Sequence, residues 1–108
     1  MTRSFPERDW KKLRAMKDKL LETACDRIMN KMKVLIENRN GENHKTYLKL
    51  WKMIRQEDKK ISEMFDDLKR SNAFYKIAAL VRYKLIDEAT LKEFSKETQE
   101  SIKLINWQ

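Results

Sequence analysis

Asn38-Arg39-Asn40-Gly41-Glu42-Asn43 holds the only glycine of the 108-residue chain, and the only proline is Pro6. Gly and Pro make up about 12% of an average chain and mark its turns. A chain with one of each has few inexpensive corners, which favours long helices joined by short connectors. Strands are poorly supported, because Val, Thr and Ile are together sparse and no segment alternates apolar with polar residues. Gly41 or Asn40 can take the left-handed conformation that ends a helix, and Asn43 can cap the next one. So short a connector makes the flanking helices antiparallel neighbours. The expected fold is all-α: a helical bundle on a long antiparallel two-helix hairpin, with two to three shorter C-terminal helices, in a single domain over 1–108.

Upstream of the turn, a first helix is expected over about 5–38. Ser4 and Glu7 have capping-box spacing, and Pro6 is tolerated in a first turn, although the residue before a proline resists helical ψ, so Pro6 is the alternative start. The apolar stripe runs Trp10, Leu13, Met16, Leu20, Ala24, Ile28, Met32, Leu35, and Leu21, Cys25 and Ile36 widen it. Cys25 reads as a small core residue.

Downstream, a second helix is expected over about 44–68, with Tyr47, Leu50 or Trp51, Ile54, Ile61, Phe65 and Leu68 as its stripe. The stripe is interrupted at Asp58, inside the polar run Arg55-Gln56-Glu57-Asp58-Lys59-Lys60. Three readings fit that gap: a kink, a solvent gap between two apolar patches, or a carboxylate paired with a cation such as Arg27. A buried charge must be paired. A third helix over about 73–85, capped by Ser71 or Asn72, is the least charged segment and the expected centre of the core, with Ala78 and Ala79 allowing close approach of another helix. Asp87 and Ser95 are the expected caps of short helices over about 88–94 and 96–105, with Ser95 either a corner or a bend. The end, Asn106-Trp107-Gln108, is expected to fray unless Trp107 finds cover.

The formal net charge is +8, and residues 1–40 hold the largest basic excess, eleven Lys or Arg against six Asp or Glu. Arg8, Lys11, Lys12 and Lys19 form the candidate polyanion-binding set on the first helix. The plainer reading is a solvated face whose lysine stems cover apolar neighbours. Lys outnumbers Arg seventeen to eight, whereas specific phosphate and base recognition leans on arginine forks. Asp66, Asp67, Arg70 and Asn72 form a second candidate, a polar corner between helices. Capping together with an Asp66–Arg70 ion pair explains it equally.

Catalytic and metal chemistry find no support in the motifs. His44 is the sole histidine and Cys25 the sole cysteine, and an antiparallel hairpin keeps them apart, so a Cys/His pair is disfavoured. One His and one Cys do not make a zinc site, and no Glu precedes a His by three residues as di-iron bundles require. A single glycine cannot build a phosphate-binding loop or dinucleotide fingerprint. No cofactor and no metal are expected, and the chain reads as a non-enzyme. The N-terminus lacks a signal-peptide run and no stretch reaches the ~18 apolar residues of a membrane span. A soluble, cytoplasmic setting is the default expectation.

The leading functional expectation is a small interaction protein acting through protein–protein contacts. The hairpin helices are longer than the later helices can cover, so a partner protein or a second copy, giving a homodimer, would bury the remainder. The alternative is a nucleic-acid-associated protein using the basic face of the first helix.

Overall fold

A computed structural model describes residues 4–107. Its helices are α1 (Glu7–Glu37), α2 (Asn43–Phe65), α3 (Ala73–Arg82), α4 (Glu88–Leu91) and α5 (Lys96–Trp107), with a 3-10 turn at Arg70–Asn72 before α3. Among the described residues there is no strand, so the all-α class holds.

The Gly41 turn reverses the chain. Asn40 (φ 48) and Gly41 (φ 81) are both left-handed. Arg39 stitches the corner, with Nη1 donating to the Ile36 carbonyl at 2.6 Å and Nε to Asn43 Oδ1 at 2.9 Å. Asn43 is thus the first residue of α2 and a partner of Arg39; Glu42 precedes the helix without a side-chain cap. α2 then runs back along α1, and Lys31 meets Glu57 across the pair at 3.4 Å.

The core lies at the end of the hairpin away from this turn. Ala73, Ile77, Ala78, Ala79 and Leu80 make α3 its centre, as its low charge implied. Leu13, Leu20 and Ala24 of α1, Met64 and Phe65 of α2, and Phe94 and Ile102 from the C-terminal segments close around it. The small residues of α3 let α5 come near enough for Asn106 Nδ2 to donate to the Ala78 carbonyl at 3.1 Å. Phe5 packs edge-on against Phe74, ring centroids 4.9 Å apart, and anchors the entry to α1. The molecule measures 57 × 23 × 23 Å, and the excess length is the arm made by the turn-proximal halves of α1 and α2.

Several local expectations are corrected. The Ser4–Glu7 capping box does not form: Pro6 precedes α1 with no side-chain cap, and Glu7 instead pairs with Arg70. α2 ends at Phe65, short of Leu68, because Asp66 turns extended and Asp67 is left-handed (φ 53). α3 ends at Arg82, short of Leu85: Lys84 is left-handed (φ 61), and the Leu85 and Ile86 amides both donate to the Leu80 carbonyl. α4 stops at Leu91, and the Glu93 and Phe94 amides continue as tighter turns. Asn72 precedes α3 but does not cap it. Asp87 caps α4 as expected, accepting from the Thr90 amide at 2.8 Å. Ser95 is a corner, its hydroxyl accepting from the Thr98 amide at 3.3 Å. Cys25 is exposed, not a core residue. Trp107 is 86% exposed, helix α5 runs through it without cover, and Gln108 lies outside the described residues.

Candidate interaction surface

The first candidate set divides into pairs. Arg8 Nη2 donates to the Glu93 carbonyl at 3.1 Å. Lys12 pairs with the Glu93 carboxylate at 3.2 Å and lies over the Phe94 ring at 5.8 Å. Both hold the α4–α5 corner against α1. Lys11 and Lys19 are exposed and have no ion pair among the described residues. Lys19 joins Lys12 at the rim of a cleft of about 430 Å³ whose apolar wall is Met16, Leu20 and Leu85.

The polar corner works as a joint. Arg70 crosses to the start of α1, with Nε donating to the Phe5 carbonyl at 2.8 Å and Nη1 to Glu7 at 2.6 Å. The Asp66–Arg70 pair therefore does not form. Asp66 instead accepts from the Ser62 hydroxyl at 2.5 Å, and Asp67 pairs with Lys69 at 3.2 Å. Asn72 accepts from the Lys69 amide and donates to the Asp67 carbonyl, at 3.0 and 2.7 Å. These contacts stay inside the fold: three of them close backbone groups, the Phe5 and Asp67 carbonyls and the Lys69 amide, near the helix ends.

The polar break in α2 resolves at Glu57, one residue from where the stripe pointed. Asp58 is exposed, whereas Glu57 turns inward and receives Lys31 and Lys60, each at 3.4 Å. Arg27 goes elsewhere, donating to the Lys84 carbonyl at 2.9 Å. These groups rim a cleft of about 220 Å³ at the root of the arm, floored by Ala24, Ile28, Ile61 and Met64. Beside it, Tyr83 donates to Glu63 at 2.6 Å, and Arg82 pairs with the same carboxylate. Donating to Glu63 favours the neutral phenol and pushes the Tyr83 pKa up; burial and the Glu63 charge add to this.

Beyond that cleft the arm has only its own two helices for cover. Met29 (65% exposed), Val34 and Ile36 of α1, and Tyr47 (64%), Leu48, Trp51 (55%) and Ile54 of α2, stand in solvent. Tyr47, Trp51, Ile54 and Ile36 had been expected on the buried stripes, and the structure puts all of them outside. The inner face of α2 consists of Thr46, Leu50, Met53 and Glu57, which are buried or half-buried. Leu48, Trp51 and Arg55 follow a second helical spacing, on the face turned away from α1. Together with Lys52, Gln56 and Lys59 they line a trough of about 290 Å³. The signal was present in the sequence as a choice between Leu50 and Trp51 for one stripe position; each belongs to a different face.

Among the described residues, no group of three His, Cys, Asp or Glu side chains is placed to hold a metal ion. None of the helices there is long and apolar enough to cross a membrane. Comparison of the chain with protein families, curated proteins and solved structures finds no match.

Proposed function

We propose that this chain is a non-enzymatic interaction protein whose projecting α1–α2 arm docks against another protein. The observation that carries the reading is the number of large apolar side chains left in water along the arm, seven from Met29 to Ile54, against Tyr75, Leu104 and Trp107 in the rest of the described chain. Large apolar side chains exposed together, as Leu48 and Trp51 are along one trough, mark contact sites when they form a patch. Trp, Tyr and Met are also the residue types enriched at interfaces. The compact end then serves as the base that holds the arm's two helices in register.

A heterologous partner suits the arm better than a second copy. Residues 28–59 hold eight Lys or Arg against four Asp or Glu, so two arms laid together bring like charges into contact. The nucleic-acid reading on α1 is the weaker one, because Arg8 and Lys12 of its four cations are engaged with Glu93. A photo-crosslinking residue at Leu48, in the full chain in its native cell, tests the proposal against a control at the exposed Lys92. The expected result is one defined protein adduct from Leu48 and none from Lys92. Equal labelling from both positions, or no adduct from Leu48, would overturn it, and an adduct of the chain with itself would replace the partner by a homodimer.

A further inference from the structure

The outer face of α2 combines two features that its inner face lacks. Trp51 and Leu48 are half in solvent and sit side by side as neighbours at helical spacing. Around them stand Lys52, Arg55 and Lys59, and none of the three has an ion pair among the described residues. Among the described residues no carboxylate lines their trough. Elsewhere cations facing the fold find acids or backbone carbonyls: Lys31 and Lys60 share Glu57, Arg70 takes Glu7, Arg82 takes Glu63, and Arg27 takes the Lys84 carbonyl. Lys52, Arg55 and Lys59 are spaced three, four and seven apart, so they repel one another on a single helix face. An anionic occupant relieves that repulsion, and the apolar pair beside it asks for aliphatic or aromatic cover.

We infer that this face takes an acidic amphipathic segment of a partner protein, its apolar residues on Trp51 and Leu48 and its carboxylates on Lys52, Arg55 and Lys59. The inference rests on the arm-docking reading above and specifies its partner. Helix-on-groove recognition uses this arrangement, with anchors at spacings of three, four and seven residues. A second copy brings the same unpaired cations and fits poorly. Single-stranded nucleic acid would satisfy the cations and stack on Trp51. It offers nothing, however, to Leu48 or to Ile54 on the neighbouring turn, which is also exposed.

The test uses the full chain, immobilised, and a phage-displayed library of random peptides of roughly 16 residues. Selection is at about 0.15 M salt. Enriched peptides are expected to carry Asp or Glu interleaved with apolar residues at helical spacing. Resynthesised, the best of them should lose about tenfold or more in affinity to W51A and to the triple variant K52E/R55E/K59E, while K103E binds unchanged. Circular dichroism and melting temperature establish that each variant is folded. Peptides without acidic excess whose binding still needs Trp51 would overturn the acidic partner and leave the docking arm standing. Selection that yields nothing dependent on Trp51 would overturn both. A thymidine oligonucleotide of about 20 nucleotides that binds more tightly than any peptide, and loses that binding in W51A, would reassign the face to nucleic acid.

Discussion

Thr98 Oγ1 stands 2.5 Å from Asp9 Oδ2, and both residues are completely buried although they lie 89 positions apart. The same carboxyl group accepts from the Ser95 hydroxyl at 2.5 Å and the Ser95 amide at 3.0 Å. One acidic side chain in the first turn of α1 thereby organises the α4–α5 corner. Replacing it takes the acceptor from the buried Thr98 hydroxyl and from the half-buried Ser95 amide and hydroxyl, the last keeping only Thr98 Oγ1 as acceptor at 3.3 Å, and a fully buried orphan costs about 1–3 kcal/mol. Asp9→Ala is therefore expected to destabilise by about 2–4 kcal/mol, lowering the melting temperature by roughly 10–25 °C for a chain of this size. A calorimetric shift of less than about 3 °C would mean the network contributes little.

Lys84 occupies a left-handed position at the end of α3, where glycine is the usual residue. Its carbonyl accepts from Arg27, and its side chain is exposed. Lys84→Gly keeps that carbonyl and removes the Cβ strain of about 1–2 kcal/mol, less the extra freedom glycine has when unfolded. A gain of about 0.5–1 kcal/mol is expected in urea unfolding, whereas Lys84→Ala gives none, since alanine retains the Cβ. Equal behaviour of the two variants would refute the strain argument.

Two groups contribute to stability with opposite pH dependence. The Thr90 amide, bonded to Asp87, holds that carboxyl below its usual value. The folded pKa lies under the unfolded one, so the contribution is present above the ordinary carboxylate range and is lost as pH falls through the folded value. Tyr83 is shifted upward by Glu63. Its contribution is complete below the ordinary tyrosine value of about 10 and is lost as pH rises through the higher folded value. Absorbance near 295 nm should show one late-titrating tyrosine, absent in Tyr83→Phe. Acid unfolding should be less steep in Asp87→Asn than in the parent chain.

Much of this architecture was legible from punctuation alone. Gly41 marked the reversal, Asp87 and Ser95 marked the last two helix starts, and the low charge of α3 marked the core. The misses have three causes. Asp67 and Lys84 turn the chain left-handed without glycine, so α2 and α3 end before their apolar patterns do. Ser4, Glu7, Asp66 and Arg70 all have partners that local spacing suggests, yet Glu7 and Arg70 choose each other across 63 positions. Helical periodicity also reports only that a face is apolar. It does not report whether the chain has anything left to cover it, and for Tyr47, Trp51 and Ile54 nothing was left. The exposed face was hidden for that reason, although the length of the hairpin already pointed to a part of it without cover.

That distinction between apolar and enclosed residues has a direct thermodynamic consequence. A side chain buried on folding contributes its transfer free energy to stability, and its truncation leaves a cavity as well. Ile77 and Ile102 are of this kind, at 0% and 1% exposure; Ile77→Ala or Ile102→Ala should cost about 2–5 kcal/mol. Trp51 and Leu48 keep about half their surface in water in the folded chain, so truncation removes little that folding had gained. Surface substitutions away from special features stay within about 0.5 kcal/mol. Trp51→Ala and Leu48→Ala are expected in that range by urea unfolding, and Trp51→Glu no worse. A Trp51→Ala loss comparable to Ile77→Ala would mean that the aromatic ring serves the fold. It would then be unavailable as an anchor for a partner, and the docking arm would lose its central residue.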